Sequence, residues 1–176
     1  LEPVRFAGRI CVVDTPEALQ RACSDLSRST MIGFDTETRP SFTAGVTNRV
    51  ALLQLSTEQT CYLIRLNRVA MGREVLALLS NANIKKIGAD VKNDIRALAA
   101  LRHFKPQGFI DLQDEVGQYG IENRSLRKIS GIVLGKKVSK AQRLSNWEAK
   151  VLTPQQQMYA ATDAWVCIEI YKHLKG

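Results

Sequence analysis

The sequence has few of the residues that build zinc-stabilised or disulfide-stabilised folds. Its 176 residues include two histidines and four cysteines, which are Cys11, Cys23, Cys61 and Cys167. No two cysteines form a CxxC pair, so the ligand spacing of a structural zinc site is missing. We therefore expect reduced thiols that act as small core residues in an intracellular, cytoplasmic protein.

Long apolar runs are also missing. No segment approaches the roughly 20 apolar residues that a membrane-spanning helix needs, and no signal-peptide pattern opens the chain. Hydrophobic residues make up 45% of the chain and charged residues 24%, which is typical of globular domains. The length predicts a single domain over residues 1–176 with one sizeable core. Because long apolar runs are missing, no membrane partner is expected.

Acidic residues are outnumbered by basic ones. The chain carries 25 Lys and Arg against 17 Asp and Glu, a formal net charge of +8. Such a balance favours an anionic partner, of which nucleic acid is the commonest. The segment 124–143 contains seven basic residues and no acid: Arg124, Arg127, Lys128, Lys136, Lys137, Lys140 and Arg143. A solvated basic face explains this segment as well as a binding surface does.

Hydrophobic periodicity predicts an α/β fold. Strands are predicted at residues 9–14, 30–37, 49–56, 60–66 and 85–89, and a brief strand leads into a helix within 108–120. Further helices are predicted within residues 14–29, 72–84, 90–104, 124–135 and 153–174. Because strands cluster early and helices late, the sheet is predicted to be mixed rather than a strict βαβ series.

The stretch "GFDTET" (residues 33–38) places two carboxylates at the end of a predicted buried strand. Side chains alternate along a strand, so Asp35 and Glu37 point to the same side. Two acids in a buried strand are disfavoured unless they are paired or bound to metal. A strand that simply reaches solvent at Asp35 is the alternative interpretation.

Three further residues have equally ambiguous positions. Tyr159 and Asp163 lie four residues apart on the last predicted helix and share a face. They fit either a functional site or an exposed hydrogen-bonding pair. Asp94 lies early in another helix, where interaction with the helix dipole accounts for a carboxylate about as well as a functional role does.

The joint order of these residues is more specific than any one of them. Asp35-x-Glu37, then Asp94, then Tyr159-xxx-Asp163 resembles the DEDD superfamily of 3′–5′ exonucleases, in the subclass with tyrosine in the third motif. The segments "VALLQLS", "CYLIRL", "KKIGADVKNDIRAL" and "LSNWEAKVLTPQQQMYAATDAW" are similar to the Werner syndrome helicase exonuclease domain and, more broadly, to ribonuclease D. The resemblance covers about residues 9–174.

That resemblance implies a ribonuclease H-like mixed β-sheet flanked by α-helices. It also implies two divalent ions, Mg²⁺ or Mn²⁺, held by four carboxylates. Asp35 would bridge the ions, Glu37 and Asp163 would join it at one, and Asp94 would hold the other largely through water. Tyr159 would orient the attacking water. The sister subclass has a histidine where this chain has Met158.

Contacts to nucleic acid are expected from six residues around these motifs: Thr36, Arg39, Asn93, Lys140, Arg143 and Trp147. Basic side chains would hold backbone phosphates without sequence choice. The indole of Trp147 would either stack on a base or pack in the core. Some relatives have an aromatic residue where this chain has Asn93, so the contact made there is expected to differ.

The function implied is a metal-dependent 3′–5′ exonuclease that releases nucleoside monophosphates from the 3′ end of DNA or RNA. A catalytically inactive nucleic-acid-binding module on the same fold is the first alternative. An endonuclease is the second, and circular single-stranded DNA would distinguish it because an exonuclease needs an end.

Overall fold

A computed structural model describes residues 1–122 and 124–176 of the chain. Within these two ranges the strands are β1 (Glu2–Pro3), β2 (Arg9–Val13), β3 (Met31–Thr38), β4 (Val50–Ser56), β5 (Thr60–Arg65), β6 (Lys85–Gly88), β7 (Phe109–Asp111) and β8 (Lys136–Lys137). The helices of the same ranges are α1 (Pro16–Leu26), α2 (Arg73–Leu79), α3 (Val91–Leu101), α4 (Leu112–Gly117), α5 (Leu126–Leu134) and α6 (Pro154–Lys175).

Six of the strands form one mixed sheet in the order β2-β5-β4-β3-β6-β7. The β3-β4 and β4-β5 pairs are antiparallel, whereas β2-β5, β3-β6 and β6-β7 are parallel. The predicted mixed α/β architecture is therefore confirmed. The short pair β1-β8 forms a separate two-stranded sheet, which was not predicted because strands of two residues show no periodicity.

Each face of the large sheet carries its own layer of helices. One core contains α1, α2 and the buried side chains of α3, and the other face is packed by α4, α5 and α6. Alternation along β3 divides its side chains between these layers. Ile32 and Phe34 enter the first core, so Gly33, Asp35 and Glu37 belong to the face that α6 covers.

The start of α6 is fixed by local sequence. The Thr153 hydroxyl accepts a hydrogen bond from the backbone N–H of Gln156, and the side-chain oxygen of Gln156 accepts one from the backbone N–H of Thr153. Pro154 occupies the first turn. Such a capping box satisfies two N–H groups that otherwise lack partners. It sets the helical register in which Tyr159 and Asp163 face the sheet.

The backbone of α6 lies directly on β3 at Gly33. A β-carbon placed on Gly33 would stand 2.0 Å from the Ala164 carbonyl oxygen, closer than any non-bonded contact. Glycine at this position therefore allows the helix to approach the strand that carries Asp35. This contact sets the distance between the acids of β3 and the acid of α6.

We expect Gly33→Ala to lower the free energy of unfolding by about 3 kcal/mol, because backbone must move to admit the methyl group. Urea unfolding followed by circular dichroism measures this. The matched control is Gly131→Ala in α5, where the added β-carbon meets only the end of the Leu1 side chain at 3.3 Å. That control should be neutral or stabilising by about 0.5–1 kcal/mol. Equal effects of the two substitutions would contradict the prediction.

Among the described residues, no helix is long and apolar enough to cross a membrane. Three of the cysteines, Cys23, Cys61 and Cys167, are buried, as expected of small core residues. Cys11 differs because it is only partly buried on the edge strand β2, and this edge position leaves it partly open to solvent.

Candidate active site

Three carboxylates from two elements converge at the end of β3. One oxygen each from Asp35, Glu37 and Asp163 lies within 4.8 Å of the other two. Asp35 and Glu37 are two residues apart on the strand, and Asp163 reaches them from the first half of α6, with 3% of its surface exposed. The strand does not simply run into solvent at Asp35. It ends beneath a helix that adds a third acid.

Asp94 joins this group from the other side of the sheet. It lies in the first turn of α3, and its carboxylate accepts a 2.6 Å hydrogen bond from the Thr36 hydroxyl. Thr36 lies between Asp35 and Glu37, so alternation turns its side chain toward α3. Asp94 is therefore connected to the three-acid cluster through Thr36. Its charge nevertheless raises the pKa of both Asp35 and Glu37.

The start of α3 is positioned by a carboxylate at the end of β7. Asp111 accepts hydrogen bonds from the backbone N–H groups of Asp90 and Val91, at 3.0 and 2.9 Å, and also from Gln113 at the start of α4. Asp90 has the left-handed φ of 61°, which is uncommon for a residue other than glycine. This tie between β7 and α3 fixes where Asp94 enters the site.

Tyr159 and Asp163 are joined by Arg127, a residue that stands out in the sequence only as part of the basic segment 124–143. The Nη2 of Arg127 donates to the Tyr159 hydroxyl at 2.8 Å and to both carboxylate oxygens of Asp163 at 3.0 and 3.2 Å. It also lies 2.7 Å from the backbone carbonyl of Ser139. Tyr159 and Asp163 are thus a buried, connected pair rather than an exposed one. No motif pointed to Arg127, because its contacts join α5 to residues 12 and more positions away.

Burial raises the pKa of every acid in the group. Burial is the largest cause throughout. It lifts the pKa of Asp35 and Glu37 well above their usual range, with neighbouring acids adding to the effect. The pKa of Asp94 rises to about 7 and that of Asp163 to about 6, the latter held down by Arg127. Burial also raises the pKa of the Tyr159 phenol, which is therefore neutral near pH 7 and can donate a hydrogen bond.

A second residue of the site was missed in the otherwise apolar strand "VALLQLS". Gln54 is fully buried on β4, directly opposite Asp35 in the antiparallel register. Its side-chain amide donates to the Ala160 carbonyl at 3.2 Å and approaches a Glu37 oxygen at 3.5 Å. Gln54 therefore links Glu37 to the backbone of α6. A single amide within a buried apolar strand is the signal that could have identified it.

The predicted nucleic-acid contacts lie on several separate segments of the chain. Lys140 and Arg143 are exposed on the segment that precedes "LSNW". Arg39 is exposed just after β3 and lies 4.0 Å from Glu148. Asn93 is exposed and bonded to Asp90 and Arg96. These residues stay predicted contacts, as does Thr36, whose hydroxyl is already engaged by Asp94.

The base-stacking interpretation of Trp147 is wrong. Its side chain has 0% exposed surface and packs among residues of β4, β5 and α6, with its ring centroid 6.0 Å from that of Tyr159. An indole enclosed in this way has no free face for a base. The packing alternative holds, and the indole packs against the ring of Tyr159.

The acids present fit divalent metal ions. Carboxylate oxygens are the donors that Mg²⁺ and Mn²⁺ prefer, and three of them converge within one ion's reach. Among the residues that the structure describes, Arg127 is the one basic side chain within ion-pair distance of these carboxylates. One guanidinium against four acids leaves negative charge that cations would compensate.

A mixed sheet that ends in this group of four acids is the arrangement of the DEDD superfamily, to which the relatives of this chain belong. The chain belongs to the 3′–5′ exonuclease family, whose sequence model matches residues 10–176. It is 36% identical over 155 residues to the bifunctional 3′–5′ exonuclease/ATP-dependent helicase WRN of Mus musculus, covering 85% of this chain and 11% of that protein. It is 31% identical over 172 residues to the human exonuclease mut-7 homolog, covering 82% of this chain and 20% of that protein.

Solved structures agree on the fold. The EXO domain of Nibbler from Aedes aegypti superimposes with a TM-score of 0.85 at 26% identity, covering 99% of this chain and 91% of that one. Escherichia coli RNase D gives a TM-score of 0.83 at 22% identity over 95% of this chain and 45% of its own. The expected ribonuclease H-like sheet flanked by helices is confirmed. The chain spans only a fifth or less of the length of the first curated relatives that it matches.

Proposed function

We propose that the chain is a metal-dependent exonuclease that removes nucleoside monophosphates from the 3′ end of DNA or RNA. The observation that carries the proposal is the convergence of Asp35, Glu37 and Asp163 within 4.8 Å beside Asp94 and Tyr159. Membership of the exonuclease family supports the same reaction.

The four carboxylates have distinct places in this proposal. Asp35, Glu37 and Asp163 would hold one Mg²⁺ or Mn²⁺ ion, and Asp94, set apart by its bond to Thr36, would complete a second site together with Asp35. When bound, the two ions would lower the pKa of water and neutralise charge on the scissile phosphate. Burial of the acids favours this binding, because desolvated carboxylates gain more from a cation than solvated ones do.

Tyr159 acts as a hydrogen-bond donor in this proposal and not as a base. Its hydroxyl oxygen already accepts a hydrogen bond from Arg127, so the phenolic proton is left for another acceptor. With its pKa raised by burial the phenol keeps that proton at neutral pH. We propose that Tyr159 orients the attacking water through this proton.

Single strands labelled at the 5′ end test the function. With Mn²⁺ or Mg²⁺ we expect a ladder of products shortened one nucleotide at a time from a 3′-hydroxyl end, and no ladder from a 3′-blocked strand or in EDTA. Matched DNA and RNA strands measure the preferred sugar. Cleavage of circular single-stranded DNA would indicate an endonuclease instead. Binding of the strands without shortening would support the inactive binding module.

We expect Arg143→Glu to raise KM about 3- to 10-fold at low salt, with kcat little changed, because an exposed phosphate contact contributes affinity without sequence choice. The slope of log KM against log salt should fall by about 1. The matched control is Arg21→Glu, an exposed arginine on α1 at the opposite face of the sheet. A KM that rises equally in both variants would reduce the effect to net charge and remove Arg143 from the binding surface.

A further inference from the structure

Arg127 occupies a place in the site that none of the three acidic motifs explains. It comes from the first turn of α5, and its guanidinium extends to α6 and to the segment after β8. Only a quarter of its side chain is exposed. Its basic neighbour Lys128 is exposed on the same helix.

One nitrogen of Arg127 makes all of these contacts. Nη2 lies within 3.2 Å of the Ser139 carbonyl, the Tyr159 hydroxyl and both oxygens of Asp163. The guanidinium carbon also lies 5.3 Å from the centroid of the Tyr159 ring. The two hydrogens of this nitrogen are shared among the four oxygens, and a hydrogen bond from a charged donor is roughly twice as strong as a neutral one, so the guanidinium holds the phenol oxygen at this distance.

A second contact restrains the ring itself. The Tyr159 ring is backed by the buried indole of Trp147 at a centroid distance of 6.0 Å. The ring is thus held by Trp147 and the hydroxyl by Arg127. With its oxygen accepting from Arg127, the phenol retains one freedom, the direction of its own proton.

We propose that Arg127 is a positioning residue that holds the Tyr159 hydroxyl in its working orientation. This inference rests on the proposed exonuclease function and adds a residue to it. Arg127 acts through Tyr159 and need not touch the substrate. Its contact with Asp163 holds the guanidinium in place and does not substitute for a metal ion.

A double-mutant cycle between Arg127 and Tyr159 tests the proposal. We expect Arg127→Ala to lower kcat about 10- to 100-fold with KM changed less than about threefold. In a Tyr159→Phe background, where no hydroxyl remains to be held, the same substitution should cost less than about threefold. The matched control, Lys128→Ala, removes an adjacent positive charge and should leave kcat unchanged.

Two further measurements separate this role from others. Arg127→Lys should recover most of kcat, because a single nitrogen makes the contacts and an ammonium offers three donors. Calorimetry should find that Mn²⁺ binds metal-free Arg127→Ala at least as tightly as wild type, because the variant loses a competing charge and no ligand. Circular dichroism and thermal unfolding establish that each variant is folded.

Several results would overturn the proposal. For Arg127→Ala these are an unchanged kcat, a rise in KM alone, which would indicate phosphate binding, and Mn²⁺ binding weakened more than about tenfold. For the double variant with Tyr159→Phe, the contradicting result is that the two losses in kcat multiply. An active wild type with any of these results overturns the role of Arg127 alone. A wild type that shortens no strand overturns the proposed function and the positioning role together.

Discussion

Asp35→Asn is expected to lower kcat for metal-dependent 3′-nucleotide release by at least about 1000-fold. Asp35 is the acid whose pKa is raised by all three of the others, Glu37, Asp94 and Asp163, so it lies at the electrostatic centre of the group. Asparagine keeps the shape of the side chain but replaces an anionic donor with a neutral amide. The loss should therefore come from metal binding and not from misfolding.

Three measurements check this expectation. Product release from a labelled strand gives kcat, calorimetry with Mn²⁺ gives metal affinity, and circular dichroism establishes that the variant is folded. Asp14→Asn is the matched control, since Asp14 is an exposed aspartate just beyond β2, outside the acidic group. Activity of Asp35→Asn within about tenfold of wild type would contradict the two-metal assignment.

The metal-free protein should become less stable as the pH rises from about 4 to about 7. The pKa of Asp94 is raised to about 7 and that of Asp163 to about 6 in the folded chain, against 3.8 for an ordinary aspartate. Between these values the folded state binds more protons than the unfolded state, so the free energy of unfolding falls with rising pH. For Asp94 alone the loss amounts to about 4 kcal/mol at most.

Divalent cations should reverse this loss at neutral pH. At 100 times Kd, Mn²⁺ should add about 2.7 kcal/mol per site and raise Tm by about 5–10 °C at pH 7.5, with a much smaller rise at pH 4.5. Calorimetric scans in EDTA and in Mn²⁺ measure both effects.

An asparagine at position 35 offers an internal comparison. Metal-free Asp35→Asn should exceed wild type in stability at pH 7.5 by about 1–3 kcal/mol, because one buried negative charge is gone, and it should gain little from Mn²⁺. Asp14→Asn should behave as wild type in both conditions. A metal-free wild type whose stability rises steadily from pH 4.5 to 7.5 would contradict the direction of the pKa shifts.

Much of this architecture follows from local sequence. Thr153 and Pro154 specify the start of α6, and alternation along β3 correctly assigns Asp35 and Glu37 to one face. These features depend on residues within a few positions of one another, which is the range over which caps and periodicity operate. The order of the acids then points to the right superfamily.

Other features depend on contacts between distant parts of the chain. Arg127 lies in a segment whose seven basic residues all fit a solvated face, and only the packing of α5 against α6 brings it to Tyr159. Trp147 lies in a polar loop, yet the residues that enclose it come from β4, β5 and α6. Local periodicity carries no information on either contact.

The fixed start of α6 also determines where the chain tolerates changes in length. Each residue turns a helix by about 100°, so one residue inserted between Thr153 and Tyr159 would rotate both Tyr159 and Asp163 away from β3. The loop at residues 39–49 has no such constraint at its tip, because Asn48 closes its base by bonding to the carbonyls of Arg39 and Pro40. Insertions and deletions that preserve the acidic group are thus expected in loops of this kind, whereas α6 must keep its residue count from Thr153 to Asp163.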